Sequence, residues 1–158
     1  MSLESLLIPF RFASTAAPTL PAGYRLLESP MPASSALNRL LACCGEPPRD
    51  GDCWSAVLAR SVWHFAVLRE PDLLVGFVRI TSDMALNANL WDLSADHGDP
   101  AEAQIYGALV GAALAKLRRE LGGCSISLAA PPQALRALEQ NGFVIDPGGI
   151  RAMELRLT

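Results

Sequence analysis

The segment Ala103–Leu121 constrains this chain more than any other. Ile105, Leu109, Ala112, Ala113, Lys116 and Leu117 mark its faces at the helical period and Gly122-Gly123 ends it, so it reads as one long helix. Before it stands Asn87–Ala95, where polar and apolar residues alternate through Asn89, Leu90, Trp91, Asp92 and Leu93, the pattern of a half-buried strand at the centre of a sheet. After it stands Cys124–Ala130, CSISLAA, a buried strand. Pro131-Pro132 then opens a short helix through Gln140 that Asn141-Gly142 ends, and Ile150–Leu157 supplies a final strand. The second half of the chain is therefore two βα units in succession.

The first half reads differently. Tyr24–Leu27 is a short apolar run between Pro21-Ala22-Gly23 and Ser29-Pro30, which suits a strand. Ser34 or Ser35 caps a helix over Ala36–Cys44, with Leu37, Leu40, Leu41 and Cys44 on one face and Gly45 and Pro47-Pro48 as its stop. Residues 45–52 form a polar loop, and Trp54–Arg60 a short helical turn that carries Val57 and Leu58 inward. Ser61–Arg69 and Leu73–Ile80 are strands joined through Glu70-Pro71-Asp72, hence an antiparallel hairpin. The class is α+β, antiparallel early and βα late.

Composition narrows the functions open to such a chain. Its 158 residues are 51% hydrophobic and 18% charged, far from the signature of disorder and enough for one core. The formal charge is -3 and no basic run exceeds Arg118-Arg119, which excludes a nucleic-acid backbone footprint. Cys43, Cys44, Cys53 and Cys124 form no C-x-x-C, and His64 and His97 stand apart from them, so no metal site is expected and the cysteines read as reduced thiols. Pro9 interrupts the apolar opening Met1–Phe12 and no basic segment precedes it, so neither a signal peptide nor a membrane span is expected. The expectation is a cytoplasmic protein with an arm over residues 1–21 and one domain over 22–158.

Three blocks in the second half carry a resemblance. The run Leu74-Val75-Gly76-Phe77-Val78-Arg79-Ile80-Thr81-Ser82-Asp83 is similar to "LVGxARxTSD", and Asn87-Ala88-Asn89-Leu90-Trp91-Asp92 to "NAxIWD". Asn141-Gly142-Phe143, Asp146-Pro147 and Gly149-Ile150-Arg151-Ala152-Met153 are similar to "LGF..DPEGIKGM". In this order and spacing, over roughly residues 73–154, the blocks closely resemble the GNAT superfamily of N-acetyltransferases, in the plant-plastid and cyanobacterial branch that includes serotonin N-acetyltransferases.

The resemblance implies a GNAT fold: a mixed, mostly antiparallel central sheet with flanking helices, in which one parallel strand pair splays apart. Acetyl-CoA would enter where the strand ending at Ala95 parts from the strand beginning at Cys124. Main-chain atoms of Leu93, Ser94 and Ala95 would take the pantetheine arm as a missing ladder partner. The pyrophosphate would rest on the N-terminus of the next helix. The family opens that helix with Q/R-x-x-G-x-G/A, and Gln104-Ile105-Tyr106-Gly107-Ala108-Leu109 is the nearest match, with Gln104 and Gly107 retained. A second alignment sets Glu102 on the glutamine. Asp96, Asp99 and Glu102 bring negative charge to this end, and the nearest cation in sequence is Lys116.

Leu138 stands at the place of the family's proton-donating tyrosine, and it has no proton to give. Strand parity places Asn89, Trp91 and Leu93 on one face, where the resemblance puts the acceptor amine against Asn89 and Trp91, and Asp92 on the other. General acid and base are left unassigned. Asp92 and Asp83 read as partners of a strand end or turn, Arg79 as an ordinary ion pair, His64 as a satisfied core histidine and His97 as a loop residue. The implied activity is acetyl transfer to a primary amine, on a small molecule or a protein, with a homodimer left open. The alternative is a catalytically silent GNAT-fold module that serves as an interaction scaffold.

Overall fold

The computed structural model describes residues 19–149. The arm's first eighteen residues and the expected strand Ile150–Leu157 lie outside them. In chain order the elements are β1 (Tyr24–Glu28), α1 (Ser34–Cys43), α2 (Gly51–Arg60), β2 (Trp63–Arg69), β3 (Leu73–Ser82), β4 (Asn87–Ala95), α3 (Glu102–Glu120), β5 (Ser125–Ser127) and α4 (Leu135–Gln140). The five strands form one sheet in the order β1-β2-β3-β4-β5. The first four run antiparallel to their neighbours, and β5 lies parallel to β4.

The sheet is covered on both faces. On one, α3 and α4 bury Val67, Val78, Ile80, Leu90, Ile105, Leu109, Leu117 and Leu138 against it. On the other, α1 and α2 bring Leu37, Leu40 and Trp54 onto Phe77, whose ring meets Trp54 edge-on at 6.2 Å. Close seating of α3 depends on Gly76 in β3. A Cβ there would stand 2.4 Å from Ile105 Cγ2, 3.1 Å from Leu109 Cδ1 and 3.3 Å from Val67 Cβ.

Local corrections have local causes. No serine side chain caps α1: its N-cap is Ala33, whose carbonyl takes the N–H groups of Ala36 and Leu37. The second helix starts earlier than expected because the Asp50 carboxylate accepts from Cys53 N and nucleates a turn inside the presumed loop. Trp54 and Leu58 are its buried residues, with Val57 only partly covered.

The fifth strand keeps three residues of the expected seven, and its Ser125 and Ser127 are exposed. Its ladder with β4 stops at Asn89↔Ser127, and the chain then leads toward Pro131-Pro132. Pairing between the two strands therefore ends at that rung.

The alternation expected for β4 fails at Asp92. That residue adopts φ 53°, and the register with β3 shifts between Phe77 and Arg79. The irregularity is a β-bulge. After it the faces exchange: Ala88, Leu90, Leu93 and Ala95 all join the α3 core. Leu93 is thus parted from Asn89 and Trp91, and Asp92 is not placed by simple parity.

Candidate functional site

What sets β4 apart in this sheet is an open edge. From Leu90 to Ala95 the strand has β3 on one side and, beyond the last rung at Asn89, no β5 on the other. Asn89 Oδ1 accepts from Ser127 Oγ at 2.7 Å and pins that rung. Trp91, 46% exposed, anchors its indole by donating Nε1–H to Thr81 Oγ1.

The bulge turns Asp92 toward two cations. Its Oδ2 accepts from Arg79 Nε at 2.5 Å and its Oδ1 from Arg49 Nη2 at 2.9 Å. With both oxygens engaged by guanidinium groups, this carboxylate is badly placed to take a proton from an amine. Arg79 is the ion-pair residue expected of it.

The far end of the edge is closed by side chains from two helices. Cys44 donates its thiol to Ala95 O at 3.3 Å. Burial pushes that thiol up, against hydrogen bonds with Ser94 and the Ala95 backbone. Tyr106, 1% exposed in the second turn of α3, lies in the same corner. Burial first, and Cys44 second, push its phenol up to about 12, so near neutral pH it keeps its proton.

At the N-terminus of α3 the protein supplies its own anions. Asp99 is buried: its Oδ1 accepts from Ala101 N and from Tyr24 Oη, and its Oδ2 from Arg69 Nη1 at 2.7 Å. The Asp99 bond, then burial, raises the Tyr24 phenol. Asp96 accepts from Gly98 N and from Arg39, which also bonds Leu74 O. Burial works to raise the Asp96 carboxyl, but Gly98 N–H and Arg39 outweigh it and hold it below its usual range. His97 pairs with Glu102 at 2.8 Å. Arg39 and Arg69 come from α1 and β2, so the cations of this end are remote in sequence and adjacent in space.

The fold of this chain is shared by solved structures. A probable acetyltransferase of unknown function from meticillin-resistant Staphylococcus aureus matches 85% of this chain and 99% of its own, with TM-score 0.73 and 15% identity. An acetyltransferase of the GNAT family from Streptococcus pneumoniae matches 85% and 98%, with TM-score 0.65 and 14% identity. The fold is that of the GNAT acetyltransferases.

Sequence relatives agree with the GNAT fold. An uncharacterized N-acetyltransferase, ycf52, of Gracilaria tenuistipitata var. liui is 36% identical over 80 residues, 51% of this chain and 43% of that protein. A histone acetyltransferase, TAP1, of Glycine max is 33% identical over 90 residues, 57% and 38%. A chloroplastic GCN5-related N-acetyltransferase of Arabidopsis thaliana is 33% identical over 124 residues, 74% and 59%. The chain resembles plastid-type GNAT N-acetyltransferases and spans less than two thirds of each of these relatives. No family model matches it.

Within the GNAT fold the sequence-derived site residues separate into groups. Leu93, Ser94 and Ala95 are all buried in the last turn-free stretch of β4, with Leu93 and Ala95 in the α3 core. Gln104 is exposed at the start of α3, whereas Ile105, Tyr106, Gly107, Ala108 and Leu109 are buried in the helix. The Ile105 and Leu109 side chains pack on the sheet beside Gly76. Asn89 and Trp91 stay on the same side of β4, opposite the α3 core. Leu138 is 2% exposed and packs into that core. The residues that sequence reasoning missed are Arg39, Arg49, Arg69 and Cys44. Nothing in their local patterns marks them, since their partners lie 57, 43, 30 and 51 positions away.

Proposed function

We propose that this GNAT-fold chain is an acetyl-CoA-dependent N-acetyltransferase acting on a primary amine. The observation that carries the reading is the unpaired edge of β4 from Leu90 to Ala95, a row of main-chain groups that an amide-bearing arm can complete. Acetyl-CoA supplies an activated thioester for the amine to attack. Leu93, Ser94 and Ala95 would hold its pantetheine through main-chain atoms. The pyrophosphate would lie at the loop before α3 and the exposed Gln104. The amine would approach over Asn89 and Trp91, on the face opposite α3.

The two ends of the site are unequal in their fit to the donor. The pantetheine edge suits it, apart from the Ala95 carbonyl that Cys44 already occupies. The phosphate end carries Asp96 and Asp99, each neutralised by an arginine, so an incoming diphosphate competes with carboxylates for Arg39 and Arg69. Binding of the donor should therefore be weaker than low micromolar.

The test is calorimetric titration with CoA, paired with acetyl transfer from acetyl-CoA to n-butylamine followed by thiol release. Saturable binding with transfer above the buffer rate is expected. Absence of transfer to any amine at millimolar acetyl-CoA would overturn the reading.

A further inference from the structure

The loop between α1 and α2 delivers one side chain to the β4 bulge, and it is held there with care. Asn38 in α1 binds both main-chain groups of Arg49, accepting from its N–H at 3.0 Å and donating to its carbonyl at 2.7 Å. The same Asn38 oxygen accepts from Trp54 Nε1, and the Arg49 guanidinium lies 4.8 Å from the Trp54 ring. So fixed, Arg49 donates Nη2 to Asp92.

Charge and hydrogen bonding are both incomplete at this point. Among the described residues, Arg49 and Arg79 share the single carboxylate of Asp92, two positive charges on one negative. The next carboxylate in sequence, Asp50, is turned to Cys53 N as the cap of α2. Arg49 Nη1 is shut from solvent and has no acceptor, the one such buried side-chain atom among the described residues. Native proteins rarely leave a buried guanidinium N–H unbonded. The side chain as a whole is 31% exposed, so part of it borders solvent. It does so at the first unpaired residues of β4, with Trp91 exposed beside Arg79 at 5.7 Å.

We infer that Arg49, with Arg79, forms a carboxylate-recognition site for the acceptor, so that the favoured substrate is an amine carrying a carboxylate. This names the substrate class of the acetyl-transfer reading and rests on it. Nη1 is covered in this conformation, and a carboxylate that displaced the cover would meet the second arm of a fork whose first arm Asp92 holds, a bidentate geometry that lysine lacks.

The experiment pairs ω-amino acids with the alkylamines that lack only the carboxyl group: glycine, β-alanine and 4-aminobutyrate against methylamine, ethylamine and n-propylamine. A second arm pairs the dipeptide amides Ala-Glu and Ala-Gln, which separates a peptide acceptor from a small one. Affinity is read without acetyl-CoA by calorimetry, and kcat/KM for acetyl transfer is read separately. In at least one arm the acid should bind tenfold or more tightly than its neutral counterpart. That preference should fall below twofold in Arg49→Gln and survive in part in Arg49→Lys. Equal affinity of acids and neutral partners for the wild-type protein overturns the inference whether or not any variant folds, as does a preference that Arg49→Gln leaves intact. If acids bind preferentially but no amine is acetylated, the transfer reading falls and the site stands. If alkylamines are acetylated as readily as acids, the site falls and the transfer reading stands.

Discussion

Two aspartates three residues apart in the same loop do different work, and the difference is burial. Asp99 has a side chain 1% exposed that caps α3 and joins it to β1 and β2 through Tyr24 and Arg69. Asp99→Asn keeps the shape but loses the charge that strengthens these bonds, and should cost about 2 kcal/mol. A drop in Tm of roughly 5 °C is the expected reading, and an unchanged Tm would remove Asp99 from the supports of this helix end. Asp96 is less buried, at 16% exposure, and among the described residues it shares Arg39 with no other carboxylate. Asp96→Asn frees that guanidinium for a phosphate, so the Kd for CoA should fall about fivefold to tenfold with little change in Tm. Weaker CoA binding by the variant would place the phosphates elsewhere. The acids of this loop were visible in the sequence as a charge problem. Their solution was not, because Arg39 and Arg69 stand 57 and 30 positions from the residues they pair with.

At the level of elements, the β3–β4 hairpin and the α3–sheet contact each depend on one residue that its neighbours leave little freedom. Asp83 Oδ1 accepts from the N–H groups of Ala85, Leu86 and Asn87, and these bonds, Asn87 first, hold its carboxyl down at about 2. An unfolded aspartate titrates near 3.9, so the folded value is depressed; its stabilisation is full above about pH 4 and is lost as pH falls through 2. Amide protection of Leu86 and Asn87 should fade over that window in the wild type and be low at every pH in Asp83→Ala; a midpoint near 4 would contradict the geometry. Gly76 sets the other constraint. Gly76→Ala should destabilise by about 1–3 kcal/mol through overpacking against Ile105, Leu109 and Val67. Combined with Ile105→Ala, the loss measured by denaturant should be smaller than the sum of the two single losses, because the new methyl occupies part of the space vacated.

Most elements were legible because their signals are periodic and local: β4 matches its expected bounds, and α3 begins one residue earlier and ends one residue earlier than read. What was hidden is geometric. A bulge at Asp92 leaves no mark in an alternating pattern, yet it exchanges the faces of the strand and so decides that Leu93 enters the core while Asp92 meets two arginines. The shortness of β5 was equally hidden, since residues 124–130 are as apolar on the page as a full strand would be.

For the whole molecule, the same bulge and the short β5 bring α1, α2, β4 and α3 to one edge, and what they bring there is poor in free bases. Asp92 gives both oxygens to guanidinium groups, and Asp96 and Asp99 are each held by an arginine. His64 is buried against the Pro30 carbonyl, and His97 is paired with Glu102. Tyr106 is pushed up to about 12 and holds its proton near neutral pH. If acetyl transfer proceeds here, the ammonium form of the acceptor must lose its proton to solvent before it attacks. The rate then follows the neutral fraction of the amine, so kcat/KM should rise about tenfold per pH unit up to the acceptor's own pKa. Two acceptors whose amine pKa values differ by about two units separate this from protein-assisted deprotonation: the inflection should move with the acceptor. An inflection fixed near pH 6–7 for both would mean that a side chain takes the proton, and would bring Asp92 or His97 into the chemistry.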